Sequence, residues 1–439
     1  MTLQRPLLIK LLLPLVAFGV TIFALSLVNR SSSPPRIESS AGGNSFGAPG
    51  RSTDDRIRAL QAALRANPRN PDRLAVLGDA YLQKVRETGD SAYYVRAQAV
   101  LERASNQAPR NPAVLAGMGS LALARHDFRG GLRFGREARA AAPGVVRIYG
   151  VVVDALVELG RYDQAARELQ RMVDLKPNLA SYARVSYFRE LHGDLAGAVR
   201  AMRLAVSAGG DAPENLAYVQ TLLGNLEFER GRIAAAQRAY RLALARFPRY
   251  VPASAGLARA DAARGRLGTA IRRYREVVTR LPLPEYVIGL GETELATGRR
   301  AAARRDLALV PVEQRLLQSN GVNTDVELAL FQANHGDPAT AVRLARRSWR
   351  AAPSVRSADA LGWSSTRSGQ AQLGLSFAKR ALALGSRDPM FLYHAGIAAK
   401  AAGRSALARR YLARSLATNP RFSPLYAPRA RRALEAVGR

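Results

Sequence analysis

The chain has 439 residues, enough for two or three ordinary domains or for one extended repeat array. An apolar fraction of 48% excludes an intrinsically disordered protein, and the absence of cysteine excludes disulfides, thiolate metal sites and a lipid-modified cysteine. The formal charge is 66 − 34 = +32, which leaves an acidic partner open. Only five of the basic residues are lysines, however, and such an arginine excess also fits the coding bias of a GC-rich genome.

The first predicted element is an apolar segment near the amino terminus. Arg5 and Lys10 precede an uncharged run, residues 11–28, which as a helix would span roughly 27 Å, close to the hydrocarbon thickness of a bilayer. Residues 24–26 match a signal-peptidase site poorly, so we predict that residues 1–29 form an uncleaved signal anchor; a cleaved signal peptide is the alternative. The positive charge before the run predicts a single-pass protein of the cell membrane whose main domain is extracytoplasmic.

A predicted flexible linker, residues 30–54, follows the apolar segment. It is rich in Ser, Gly and Pro, a composition typical of tethers that connect folded parts. The next stretch, residues 55–68, has the pattern of a single helix that ends at Pro68.

From there to residue 420 the sequence repeats itself. A glycine recurs at intervals of 33 to 38 residues, at Gly160, Gly193, Gly231, Gly265, Gly298, Gly336, Gly369 and Gly403. The residue five positions later is alanine in every unit except one, which has Gly374. A proline stands seventeen positions after five of these glycines, and a mostly apolar column lies eight positions before them. This period predicts an array of similar structural units.

Each column has a physical role in a pair of helices. The glycine supplies the left-handed or otherwise unusual backbone that ends one helix and turns into the next. Small residues on facing helices let two backbones approach to about 8–10 Å. The proline ends the second helix, and between glycine and proline the apolar residues recur at helical spacing.

These columns resemble the tetratricopeptide repeat, a helix–turn–helix family. The match is close in residues 222–248, where the fitting residues are Leu223, Gly224, Gly231, Ala236, Tyr240, Ala243 and Pro248. About ten such units run from residue 72 to residue 420, residues 311–325 form the weakest boundary, and residues 421–439 resemble a terminal capping helix. The resemblance implies an all-α fold, a right-handed α-solenoid of stacked helix–turn–helix units over residues 55–420.

Little in the sequence indicates an enzyme. There is no phosphate-binding GxxxxGK[ST] pattern and no GxSxG pattern, and no stretch outside the array is long enough for a catalytic domain. Three of the four histidines, His126, His192 and His335, lie at or beside predicted interhelical turns, which favours a structural role over metal ligation or acid–base catalysis. We therefore predict a non-enzymatic protein without a cofactor or metal site.

The resemblance also implies a concave groove lined by the first helices and a convex back formed by the second helices. The candidates for binding a peptide in that groove are Tyr187, Tyr218, Asn225, Glu229, Arg259, Glu292, Trp363, Arg367, Tyr393 and Lys400. Aromatic side chains there could anchor an extended peptide. The alternative is that these tyrosines and the tryptophan simply pack between repeats.

The leading functional hypothesis is a membrane-tethered scaffold that binds a protein or peptide in the groove. The alternative hypothesis is that the arginine-rich convex surface binds a polyanion, such as anionic lipid, a cell-wall polymer or nucleic acid. Nucleic acid is the least favoured of these partners, and no small-molecule substrate is expected.

Overall fold

The computed structural model describes residues 52–209 and 213–438, and all the regular structure in these ranges is α-helical. The predicted all-α fold is therefore confirmed there, whereas the predicted anchor and most of the predicted linker lie outside the described residues. None of the described helices is both long and apolar enough to cross a membrane. The helices are α1 Thr53–Ala66, α2 Pro71–Thr88, α3 Ala92–Gln107, α4 Pro112–Ala124, α5 Phe128–Ala141, α6 Val146–Glu158, α7 Tyr162–Leu175, α8 Leu179–Leu191, α9 Leu195–Ala208, α10 Pro213–Glu229, α11 Ile233–Arg246, α12 Val251–Ala263, α13 Leu267–Arg280, α14 Pro284–Ala296, α15 Arg300–Leu307, α16 Val310–Ser319, α17 Asp325–His335, α18 Pro338–Ala351, α19 Val355–Arg367, α20 Ala371–Ala381, α21 Pro389–Ala401, α22 Ser405–Thr418 and α23 Tyr426–Gly438.

Within the described chain most of these helices pair into hairpins, which we number as repeats 1 to 10. The pairs are α2/α3, α4/α5, α6/α7, α8/α9, α10/α11, α12/α13, α14/α15, α17/α18, α19/α20 and α21/α22. Helix α1 precedes the first repeat, and α23 follows the last. Helix α16 lies between repeats 7 and 8, where the sequence has its weakest repeat boundary.

The turn inside most hairpins contains a left-handed residue, as the glycine column predicts, whereas Gly336 of repeat 8 has a φ angle of −134°. Gly160 and Gly231 adopt φ angles of 70° and 72°. Repeat 2 has no glycine at this position, and His126 takes the left-handed conformation with φ 61°. Asp127 then caps α5 by accepting a hydrogen bond from the Gly130 amide at 2.9 Å.

Small residues let neighbouring hairpins close on a large side chain. Tyr240 on α11 is fully buried, and Gly224 and Gly256 face its ring so closely that a Cβ at either position would overlap it. Ala236, in the alanine column, is also fully buried. The periodic small residues are therefore contact surfaces between hairpins, and stability comes from the stacking of neighbours.

After six repeats the array lies against its own beginning. In each of repeats 1 to 5, the end of the first helix and the hairpin turn after it lie against the segment that precedes the repeat six units later. For repeat 5, α23 takes the place of an eleventh repeat. The residues in contact are Gly89 and Leu281, Arg125 and Asn323, Tyr162 and Val355, and Phe228 and Asn419; in repeat 4, Glu190 interacts electrostatically with Asp388. One superhelical turn thus takes six repeats, and the second turn lies directly on the first. We call this contact the seam.

The hairpin turns of later repeats are not covered in this way within the described chain. A Cβ at Gly265, Gly298, Gly369 or Gly403 would have no non-neighbouring atom within 4 Å. By contrast, a Cβ at Gly160 would overlap the backbone of the loop before repeat 9. The hairpin turns of repeats 6, 7, 9 and 10 therefore form an open border of the array, which we call the uncovered edge.

Candidate functional site

The ten predicted groove residues all lie on first helices, and the structure separates them into two groups. The first group belongs to repeats 4 to 6 and contains Tyr187, Tyr218, Asn225, Glu229 and Arg259. The second group belongs to repeats 7, 9 and 10 and contains Glu292, Trp363, Arg367, Tyr393 and Lys400. The two groups differ in how far the seam covers them.

The first group is largely buried. Tyr187, Tyr218 and Glu229 have 9%, 3% and 3% of their surface exposed. Asn225 accepts hydrogen bonds from the Tyr240 hydroxyl and from the Arg259 guanidinium, both at 2.8 Å. These contacts fix the inner face of repeats 4 to 6 as packed structure, with no open groove over the tyrosines.

Carboxylates from both superhelical turns come together at the seam. Glu190 and Glu229 belong to the first turn, and Asp388 belongs to the second, where it caps α21 by accepting the Phe391 amide at 2.8 Å. Burial, reinforced by the neighbouring carboxylates, raises the pKa of Glu190 and of Glu229 well above the ordinary value. Burial also raises the pKa of Asp388 to about 7. This part of the seam therefore favours protonated carboxyl groups.

Aromatic packing dominates the second group. Trp363 and Tyr393 are buried, and the Trp363 ring stacks on His394 with centroids 4.2 Å apart. Tyr426 of α23 lies 5.7 Å from the Tyr393 ring, and its hydroxyl donates a hydrogen bond to Glu292 at 2.9 Å. The last helix thus packs on repeat 10 and reaches repeat 7 through the Tyr426 hydroxyl. For Tyr218, Trp363 and Tyr393, the packing alternative describes the structure, while their role in peptide binding stays a prediction.

Two of the ten candidates remain exposed, Arg367 and Lys400. Both lie at the ends of first helices on the uncovered edge, where no later repeat of the described chain packs against them. Arg367 is held by a hydrogen bond from its Nε to the Ala333 carbonyl at 3.0 Å, and its guanidinium lies 5.7 Å from the centre of the Trp363 ring. The accessible part of the predicted groove is therefore cationic and borders a rigid aromatic cluster.

The histidines contribute to packing and turns. His394 places its Nδ1 3.0 Å from both oxygens of Asp359, and the Nδ1 of His126 lies 2.6 Å from the Asn323 carbonyl across the seam. Over the described ranges, no group of three His, Asp or Glu side chains has a geometry that could hold a metal ion.

Two surface features were not found by sequence reasoning. The first is an open depression of about 530 Å³ whose rim carries Arg203, Arg232, Arg238, Arg264 and Arg421. Arg421 reaches it only because the second superhelical turn lies on the first, so no local signal could have indicated it. The second feature is an exposed apolar stripe on α16, with Leu309, Val312 and Leu316. Helical spacing inside the irregular segment 311–325 could have indicated that stripe.

No protein-family model and no curated protein matches the chain. Among solved structures it is similar to TTC0263, a thermophilic TPR protein of Thermus thermophilus, with 23% identity over 42% of this chain and 93% of that one and a TM-score of 0.36. It is also similar to the human IFIT1 dimer with PPP-AAAA, with 15% identity over 83% of this chain and 86% of that one and a TM-score of 0.44. For the APC/C hetero-tetramer Cut9–Hcn1, identity is 15% over 88% and 93%, with a TM-score of 0.34. At these values the likeness carries no functional argument, and the repeat architecture is established by the hairpins themselves.

Proposed function

We propose that the protein is a non-enzymatic scaffold, tethered to the cell membrane by residues 1–29, that binds a protein or peptide at the uncovered edge of its second superhelical turn. The observation that supports this site is the contrast between equivalent positions. Glu190 and Glu229 are buried at the seam, whereas Arg367 and Lys400 occupy the corresponding ends of later first helices and are exposed. A partner with acidic groups would match the two cations.

Site-directed crosslinking tests this proposal, because the chain has no cysteine of its own. A photo-crosslinker is attached to Lys400→Cys, and the captured chains are identified by mass spectrometry after crosslinking in intact membranes. Lys379→Cys is the matched control, since Lys379 is also an exposed lysine but lies on a second helix, α20. The proposal expects a specific protein captured from position 400 and absent from position 379. Equal capture at both positions, or none at position 400, would contradict it.

A second candidate function is polyanion binding at the arginine depression. The guanidinium groups of Arg232, Arg238 and Arg421 have no hydrogen-bond or ion-pair partner within the described chain, although Arg203 pairs with Glu227 at 3.2 Å. Such unpaired cations would release counterions on binding a polyanion, so affinity for heparin should fall steeply with salt. Arg232→Gln with Arg238→Gln should weaken that binding and reduce its salt dependence. An unchanged affinity in the double variant would exclude this site.

A further inference from the structure

Helix α16 has an apolar face that no other part of the described chain covers. Leu309, Val312 and Leu316 are 43%, 49% and 54% exposed, and spacings of three and four residues place them on one side of the helix. The opposite side packs inward through Val310 and Gln314, which are buried. In the described ranges, every other large apolar residue with comparable exposure stands alone on its own element. The stripe is therefore a distinct surface feature of the array.

Four arginines lie within ten residues of this stripe along the chain, and α16 itself also carries one acidic residue, Glu313. Arg299, Arg300 and Arg304 on α15, with Arg315 on α16, are exposed, and no hydrogen-bond or ion-pair partner of their guanidinium groups is found in the described part of the chain. Arg305 is neutralised by Asp306 at 3.0 Å. An apolar helical stripe flanked by unpaired cations is the composition with which amphipathic helices bind anionic bilayers, the apolar residues entering the acyl boundary and the cations meeting phosphates.

The described chain also begins beside α16. Thr53, at the start of α1, donates a hydrogen bond to Glu87 at 2.5 Å. Ser91, which lies four residues after Glu87, accepts a hydrogen bond from the Asn320 side chain at 2.8 Å. Asn320 directly follows the last residue of α16. Four residues of chain reach at most roughly 14 Å. The proposed tether would therefore join the array near the carboxyl end of α16.

The size of the stripe argues for lipid over a second copy of the chain. Three aliphatic side chains, each about half exposed, present on the order of a few hundred Å² of apolar surface. A stable protein interface buries about 800 Å² on each partner, and the arginines near the stripe would repel those of a second copy. A shallow insertion into anionic lipid needs no larger area and gains from the same arginines.

We infer that α16 docks on the surface of an anionic bilayer, with Leu309, Val312 and Leu316 at the boundary between headgroups and acyl chains and the flanking arginines on lipid phosphates. This inference rests on the membrane tether of the proposed function, which brings α16 to a bilayer. Together, the tether and α16 would fix the orientation of the array on the membrane, so that the second superhelical turn keeps one orientation relative to the bilayer.

The test uses the full-length chain with a polarity-sensitive fluorophore on Val312→Cys. The control is Leu242→Cys, because Leu242 is 57% exposed on the arginine-containing helix α11. Both proteins are reconstituted with vesicles of phosphatidylcholine, with and without phosphatidylglycerol. We expect a blue shift and a several-fold loss of quenching by aqueous iodide at position 312 in anionic vesicles only, and no change at position 242. Arg304→Gln with Arg315→Gln should abolish the shift at position 312.

Three outcomes would overturn the inference, and the measurements distinguish them from one another. An unshifted probe on chains that still float with the vesicles would reject the docking of α16 and leave the tether intact. Failure of the chain to float would reject the tether as well. A blue shift without vesicles that grows with protein concentration would assign the stripe to contacts between copies of the chain.

Discussion

The hydroxyl of Tyr162, at the start of α7, accepts a hydrogen bond from the backbone amide of Val355 at 2.9 Å, across 193 residues of sequence. Val355 is the first residue of α19, so its amide has no partner within its own helix. The bond therefore joins the third repeat to the ninth and ties the second superhelical turn to the first.

A side-chain amide at the other end of the seam should be energetically important. Asn419 is fully buried and donates to the Phe228 carbonyl at 2.7 Å. Asn419→Ala removes this bond and also the bond that the Asn419 side-chain oxygen accepts from the Arg421 amide at 2.8 Å, which should lower the free energy of unfolding by about 1–3 kcal/mol in urea denaturation. Thr418→Ala is the control, because the Thr418 hydroxyl, at the surface, donates only to the Arg414 carbonyl of its own helix. Equal effects of the two substitutions would argue against the seam.

Glycine at position 224 should be required by packing. A Cβ there would overlap the Tyr240 ring, so Gly224→Ala is expected to destabilise the protein by about 1–3 kcal/mol despite the better helix propensity of alanine. Gly268→Ala is the matched substitution, since a Cβ at Gly268 has no non-neighbouring atom within 4 Å. Thermal unfolding should show a lower Tm for the first variant and an unchanged or higher Tm for the second. A stabilised Gly224→Ala protein would refute this packing.

Ala236→Arg tests the alanine column in the same way. Ala236 is fully buried, so an arginine there must either force the helices apart or bury an unpaired charge. We expect a clear loss of thermal stability by circular dichroism. An unchanged melting curve would mean that this column is not a contact surface.

The seam carboxylates should make stability depend on pH. Because the folded-state pKa values of Glu190, Glu229 and Asp388 are raised, the folded chain holds protons that the unfolded chain has released. The free energy of unfolding should therefore fall as the pH rises from about 4 through about 7. Glu229→Gln should flatten this fall, so that the variant matches the wild type at roughly pH 5 and is more stable at roughly pH 8.

The positive charge of Arg259 favours the ionised form of Glu229 and so partly offsets the rise in the pKa of that carboxyl group. Glu276→Gln, at an exposed carboxylate on α13, controls for the loss of one negative charge. If Glu229→Gln and Glu276→Gln show the same dependence of Tm on pH, the seam carboxylates do not titrate as described.

The sequence predicts the hairpins well because their determinants are local. The left-handed backbone at Gly160 and Gly231, and the burial of Ala236, follow from positions that recur in every unit. Even His126, which breaks the glycine column, could be assigned to a turn from its place in the period.

The accessibility of the groove could not be predicted in the same way. Glu229 and Arg367 stand at the same position of their repeats, two residues before the turn glycine, yet only Arg367 is exposed. The difference arises from what lies six repeats further along the chain: Glu229 faces the seam, whereas no later repeat of the described chain lies above Arg367. A column-by-column reading of the sequence treats these two positions as equivalent, so it cannot separate them.

The contact between the two superhelical turns is the central claim, and a distance between spin labels tests it most directly. Arg129 and Arg350 are exposed, and the Arg129 guanidinium donates to the Arg350 carbonyl at 3.0 Å across the seam. Labels on Arg129→Cys and Arg350→Cys should give one narrow distance distribution at the short end of the range that double electron–electron resonance can measure. A broad or long distribution, as in an open solenoid whose turns do not touch, would contradict the account.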